Sequence, residues 1–429
     1  VLQFFSFKNK DREMSKKSEK SKSDSNKKNK RIIFGALLAV ALLALAAGLV
    51  LFIPSKNFTV AFYKVGDRQR QGITQVIEKI AAEKGISVVF NQYDSEKSLN
   101  SQLYLSKKPN LIFTPSGFAV QDAIENSSKK AALSADFTQG FTSSIRSAVL
   151  TKDEKITAIP VLSSHFESDI ETQEFRNSSV KQINTWTDVE KFMREQKRKK
   201  ESPMIFAGGD PEFFLTFIGA FAESIDGISA YTDAVKIFAD NAKSFNPVKI
   251  AVQLCDEPNS PLANSVKLLK SWYGQGLIHR GAFSLKMNDV EAFASSRLSS
   301  VSFMSLEAHR DFAQSTISRF TSIYFPSEYG ANSRVFTGNI YYAVPMKASK
   351  ATEDMLSSLL STEYQEALSR STGIAPVLAQ CRTPDKQADD ARYWIAATTA
   401  PLPGLANEIF LTAEQKKQLS AEIASRIKN

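Results

Sequence analysis

Apolar residues are laid out along this chain in two quite different ways. From Ile32 to Ile53 they run for 22 residues without a charge. At about 1.5 Å rise per residue, a run of that length crosses a hydrocarbon core of about 30 Å. From Phe58 onward the pattern alternates instead. Phe58 to Tyr63 (FTVAFY) predicts a short strand, and Ile73, Val76, Ile77 and Ile80 mark one face of a helix over 70–84 that Gly85 ends. Ile86 to Phe90 (ISVVF) predicts the next strand, 98–107 a helix, and Leu111 to Thr114 (LIFT) a third strand. Pro115-Ser116-Gly117 then turns the chain into a helix from Phe118. Strand–helix–strand order with short connections predicts crossover units and a mostly parallel sheet, with ligand-facing loops beyond the carboxyl ends of the strands. Further on, Thr185 is an N-cap for a helix opening WTDVEKFMR, and EQKRKKE (195–201) is read as its solvated end.

Charge sharpens this division. The net charge is +9, and residues 1–56 hold twelve Lys/Arg against four Asp/Glu, leaving 42 against 41 for the rest. The basic character belongs to the N-terminal segment, so a nucleic-acid-binding body, which needs its own basic stripe, is excluded. Residues 15–31 (SKKSEKSKSDSNKKNKR) have no apolar residue and predict disorder. Lys27, Lys28, Lys30 and Arg31 on the N-terminal flank of the apolar run keep the tail cytoplasmic by the positive-inside rule and deliver the remainder to the outer side. The run reads as an uncleaved anchor or, through Ala44-Leu45-Ala46, as a cleaved signal; a start at Met14 fits either. Cys255 and Cys381 are the only cysteines, and an exported location leaves a disulfide between them open. These two and His165, His279 and His309 show no metal-ligand spacing.

The order of segments resembles the extracellular solute-binding proteins of ABC importers, of the sugar-binding type (family 1-like). GISVVFNQYDSEKSLNSQL (85–103), KKPNLIFTPSGFA (107–119), KITAIPVL (155–162), INTWTDVEKF (183–192), VSFMSL (301–306) and IYYAVPMKAS (340–349) followed by STEYQEALSRSTGIAPV (361–377) carry the resemblance, which runs from about Phe58 to the C-terminus. It departs after Met304, where SLEAHR lacks the aromatic residue that often follows the family's small-residue turn.

The resemblance implies a two-lobed α/β fold with parallel or mixed sheets, helices on both faces and several hinge crossings. It divides the chain into a basic cytoplasmic tail (1–31), a transmembrane anchor (32–53), one lobe over 58–162 and 300–341, and a second over 163–299 and 342–429. The function implied is capture of a small solute, carbohydrate the leading class, in an interlobe cleft and delivery to ABC permease subunits. An anchored sensor of the same fold is the alternative. The chain is read as monomeric, tethered to the membrane by its N-terminal helix, without a cofactor and without nucleic acid.

Matching the family's ligand loops gives Tyr63, Asp94, Ser95, Ser116, Gly117, Ser164 and His165. In the later segments it gives Gly209, Asp210, Phe213, Ser305, Asn339 and Tyr341. Plainer readings stand beside these. Phe213, Phe214 and Phe217 recur at core-helix spacing, Gly208-Gly209 reads also as a simple turn, His165 as a hinge residue, and Trp272 and Trp394 as packing. Asp210 precedes Pro211 and either caps a helix or faces the cleft. Nothing nominates catalysis: GxSxG, Walker, HExxH and CxxC motifs are missing, and no carboxylate pair is set at glycosidase separation.

Overall fold

The computed structural model of the chain describes residues 57–104, 107–128, 133–152, 155–257, 259–328, 336–398 and 401–429. The tail and the apolar run of 32–53 lie outside them. Among the described residues no helix is long and apolar enough to cross a membrane.

The first elements follow the apolar pattern closely. Strand β1 (Phe58–Phe62) leads into the helix Asp67–Lys84, which buries Ile73, Val76, Ile77 and Ile80. Gly85 closes that helix in the left-handed region at φ 63°. Strands β2 (Val88–Gln92) and β3 (Leu111–Pro115) both pair parallel with β1. The parallel character stops there. β4 (Leu150–Lys152) and β5 (Lys155–Ser163) form an antiparallel pair, and the long strand β5 continues the sheet toward a second one.

β6 (Phe166–Glu171) starts that second sheet, so only Ser164 and His165 separate the two. β6 is its middle strand, flanked antiparallel by β7 (Val301–Ser305) and β8 (Phe320–Ile323). The chain then returns through β9 (Phe336–Thr337) to β10 (Ile340–Pro345), which lies antiparallel between β3 and β5. β11 (Ala375–Pro376) adds to the far side of β5, and β12 (Pro401–Leu402) pairs with β9. The first sheet is therefore mixed, in the order β11-β5-β10-β3-β1-β2 with β4 on β5, and the second is wholly antiparallel.

Two apolar cores result, and they divide the chain differently from the expected segments. Residues 301–323, Leu306 excepted, belong to the second core, not the first, because β7 and β8 pair with β6. Residues 340–395 belong to the first, because β10 and β11 complete its sheet. The chain crosses back once more near β12, and the final helix Ala413–Lys428 buries Leu419, Ile423 and Ile427 in the second core. That core is aromatic: Phe213 and Phe217 stack at 6.0 Å and 7°, and Trp186 and Trp272 are buried against Phe221. Helical spacing of these rings thus marks packing. Cys255 is buried in the second core and Cys381 in the first, both as free thiols.

Candidate functional site: a cleft beside the crossings

The loops after the strands and the segments that cross between sheets meet around a set of adjoining recesses. The first, of about 380 Å³, is walled by the helix Pro211–Asp226 through Asp210, Phe213 and Thr216, and by Asn288 and Glu291 of the helix Met287–Ser295. Ser305 and Asn339 supply its floor. A second, of about 350 Å³, lies between the cores, with Lys64, Ser95 and Glu96 from the first facing Asp210, Glu212 and Lys416 from the second. Asp210 and Glu212 line both, so the two adjoin.

Each polar group here has a local reason for its position. Asp210 is the N-cap of Pro211–Asp226, its Oδ1 accepting from the amides of Glu212 and Phe213 at 3.1 and 3.3 Å. It caps the helix and is also among the residues lining both recesses. Ser305 likewise caps the helix Leu306–Asp311, accepting from Ala308 N at 3.2 Å. Lys416 Nζ donates to Glu212 Oε2 at 3.0 Å. Lys64 lies over the rings of Phe118 and Phe410 at 5.1 and 5.6 Å. Burial first, and the neighbouring Lys416 ammonium second, hold the Lys64 pKa below the ordinary lysine range. The apolar wall is phenylalanine: Phe166, Phe213 and Phe312 line the first recess, offering ring surface without a hydrogen-bonding group.

The nominated residues separate into two groups. Asp210, Phe213, Ser305 and Asn339 come together on the first recess, and Ser95 joins Asp210 on the second. Asp94 is exposed on a shallower surface with Ser95, where it accepts from Glu96 N at 2.9 Å and pairs with Lys97 at 3.0 Å. Ser116 and Gly117 line a separate recess of about 300 Å³ together with Pro403 and Glu408. The Ser116 hydroxyl accepts from Ile340 N at 3.2 Å, tying β3 to β10.

Tyr63, Ser164, His165 and Tyr341 are buried, and Gly209 is half-buried. The Tyr63 phenol donates to Lys97 O at 3.0 Å, and Gly209 N donates to Leu285 O at 2.8 Å. His165 is packed between Trp394 and Tyr324, with ring centroids at 4.6 and 5.8 Å. Burial lowers its pKa to about 3, so the ring is neutral.

Sequence reasoning missed Glu307. Its carboxylate accepts from Tyr341 Oη at 3.0 Å, from Asn339 Nδ2 at 3.3 Å and from the Ser164 hydroxyl. Two segments that cross between the sheets, the one at Ser164 and the one leading from β9 into β10, are thereby joined at one side chain. The signal available was a single Glu in SLEAHR, where an aromatic residue was looked for, and no local pattern distinguishes it. Asn407 was missed for the same reason. It lines the first recess, and its amide reaches Pro403 O at 3.3 Å and Asn339 Oδ1 at 3.5 Å.

The chain matches no protein-family model and no curated relative. Its likeness is to solved structures. It is similar to the bacterial solute receptor AcbH, described as having an exclusive preference for β-D-galactopyranose, with a TM-score of 0.66 and 13% identity over 86% of this chain and 96% of that one. It is also similar to RafE from Streptococcus pneumoniae in its apo form, with a TM-score of 0.61 and 12% identity over 87% and 98% of the two chains. The GacH receptor of Streptomyces glaucescens GLA.O, solved unliganded and with acarbose, gives a TM-score of 0.58 and 12% identity over 86% and 94%. Identity at this level speaks for architecture rather than ligand, and the chain has the two-lobed α/β fold of the sugar-binding solute receptors.

Proposed function

We propose that this chain is a membrane-tethered, extracytoplasmic solute receptor that captures a small solute, carbohydrate the leading class, and hands it to an ABC permease. The observation that carries the reading is the recess beside the crossings, where a helix-capping carboxylate, three side-chain amides (Asn288, Asn339 and Asn407) and phenylalanine rings face one space. A saccharide presents an apolar ring face and a belt of hydroxyls, and this wall offers a partner for each. Several crossings next to the cleft allow the two lobes to hinge about it. Similar solved structures described as a receptor with a preference for β-D-galactopyranose and a receptor in complex with acarbose support the choice of solute class. Those descriptions are of binding proteins, which supports a receptor over an enzyme.

A thermal-shift series on the full chain in detergent tests this. It would set monosaccharides and oligosaccharides beside polyols, amino acids and short peptides. A ligand that binds only the native state at a hundred times its Kd stabilises by about 2.7 kcal/mol, well within reach of the measurement. A saccharide should raise the melting temperature, and Asn288→Ala, a change at an exposed cleft position, should shrink that rise while leaving the unliganded melt in place. A rise with amino acids or peptides alone would remove carbohydrate as the class. No rise with any class would remove the receptor reading. Co-purification with permease subunits separates delivery from sensing.

A further inference from the structure

Away from the cleft, the polar face of the second sheet is unusually loaded. Glu167 and Asp169 are two positions apart on β6, so both side chains leave the same face of the middle strand. The helix Leu306–Asp311, which follows β7 directly, lays His309 over that face. Glu167, Asp169 and His309 are 0%, 1% and 1% exposed. One ligand atom from each lies within 4.8 Å of the other two.

Two carboxylates and an imidazole in a dry interior require compensation, and the local donors supply only part of it. His309 Nδ1 is hydrogen-bonded to Glu167 Oε1 and stands 3.6 Å from Asp169 Oδ1. Ser322 Oγ donates its one proton to Asp169 Oδ1 at 2.9 Å. Arg310, the nearest guanidinium in sequence, is occupied by Gly373 O and Asp385. Two carboxylate oxygens, Glu167 Oε2 and Asp169 Oδ2, remain buried without a hydrogen-bond partner, as does the hydroxyl of Ser302, which lies opposite Asp169 in the β6–β7 register. His165 Nδ1 approaches Glu167 Oε2 only to 4.0 Å.

We propose that Glu167, Asp169 and His309 form a structural site for a divalent transition-metal ion, zinc by its chemistry, beneath the return crossing. Imidazole with carboxylates is a donor set for zinc, whereas magnesium and calcium take oxygen alone. Ligand atoms about a tetrahedral zinc are roughly 3.3 Å apart for bonds of about 2.0 Å, close to the separation of His309 Nδ1 and Asp169 Oδ1. A small rotation of the Glu167 carboxyl would complete three ligands. A dication also cancels both carboxylate charges with the imidazole neutral, where one proton cancels only one. The fourth position falls to the serine hydroxyls or to water.

Burial means that the ion enters with folding, so the test uses refolding. The full chain in detergent is purified from zinc-supplemented cells and its metal content measured by plasma mass spectrometry. It is then unfolded in EDTA and refolded with zinc chloride or with EDTA. The expectation is about one zinc per chain, a melting temperature several degrees higher after refolding with zinc, and an X-ray absorption spectrum with nitrogen and oxygen neighbours only. His309→Ala should lose the metal and the difference between the two refolded samples, and His279→Ala should keep both. Metal-free protein whose melting is the same after either refolding would overturn the proposal. Undiminished zinc in His309→Ala, or sulfur in the absorption spectrum, would overturn it too. If His309→Ala does not fold, the wild-type comparison and the spectrum still decide.

Discussion

Glu307 is a single carboxylate that satisfies three donors arriving from different parts of the chain. Removing its side chain leaves the Tyr341 and Ser164 hydroxyls and the Asn339 amide short of an acceptor in a largely buried setting. Each stranded group costs about 1–3 kcal/mol. Glu307→Ala should therefore lower the denaturation free energy by several kcal/mol, and Glu307→Gln by clearly less, as read by urea titration. Asp210 makes the opposite kind of test. Its loss removes a helix cap worth about 1 kcal/mol, so Asp210→Ala should weaken both stability and solute binding while Asp210→Asn keeps most of the cap. Melts without ligand and ligand titrations, run side by side, separate the two effects. Burial pushes the Cys255 thiol up to about 12 and the Cys381 thiol up to about 11. Thiolate is the reactive form, so both should resist alkylation at pH 8 in the folded chain and react at once in denaturant, as counted by mass spectrometry.

Among the elements, Gly117 joins backbone conformation to the approach of the two cores. It precedes the helix Phe118–Asn126 at φ 92° and ψ −150°, a region open in practice to glycine alone. An added Cβ would stand 2.0 Å from Asn407 O, on a short helix that packs into the second core. Gly117→Ala should cost about 1–3 kcal/mol from backbone strain and also hold the cores apart. Small-angle scattering should show a larger radius of gyration in the variant without any loss of helical circular dichroism.

Such elements differ in how far the sequence reveals them. β1, the helix Asp67–Lys84 and β3 are local, and their periodicity and the Gly85 cap are enough to find them. Apolar alternation says that IYYAVP is a strand but not that it inserts antiparallel between β3 and β5, because pairing is decided by tertiary partners. The same gap misplaced most of residues 301–323 and 342–395 between the lobes. The site was half legible for a related reason. Asp210 and Ser305 stand at helix starts that sequence can mark, whereas Glu307 and Asn407 acquire their partners only from distant segments.

In the molecule as a whole, Arg310 ties the second core to Gly373 O and Asp385 of the first, and exposed polar groups meet near the cleft. Arg68 of the first pairs with Asp311 on the edge of the second at 2.8 Å, and Glu96 accepts from Ala413 N at 2.9 Å. Both side chains of the ion pair are substantially exposed, so it contributes at most about 1 kcal/mol and is screened by salt. Closure of the lobes should accordingly respond to solute far more than to ionic strength. Interlobe fluorescence energy transfer with and without saccharide, at low and high salt, checks this, and a change driven mainly by salt would count against a receptor.

The placement of β10 also sets a timetable for synthesis. β1, β2 and β3 are complete when residue 115 has been made, but the strand that covers the outer side of β3 begins only at Ile340. In the interval nearly all of the second core is translated. During synthesis the first sheet is therefore a three-stranded fragment with a bare edge of unpaired backbone groups, a ready template for another chain. A nascent chain of this design depends on escort until β10 has emerged, and truncation anywhere between β3 and β10 should yield aggregate rather than a smaller folded protein.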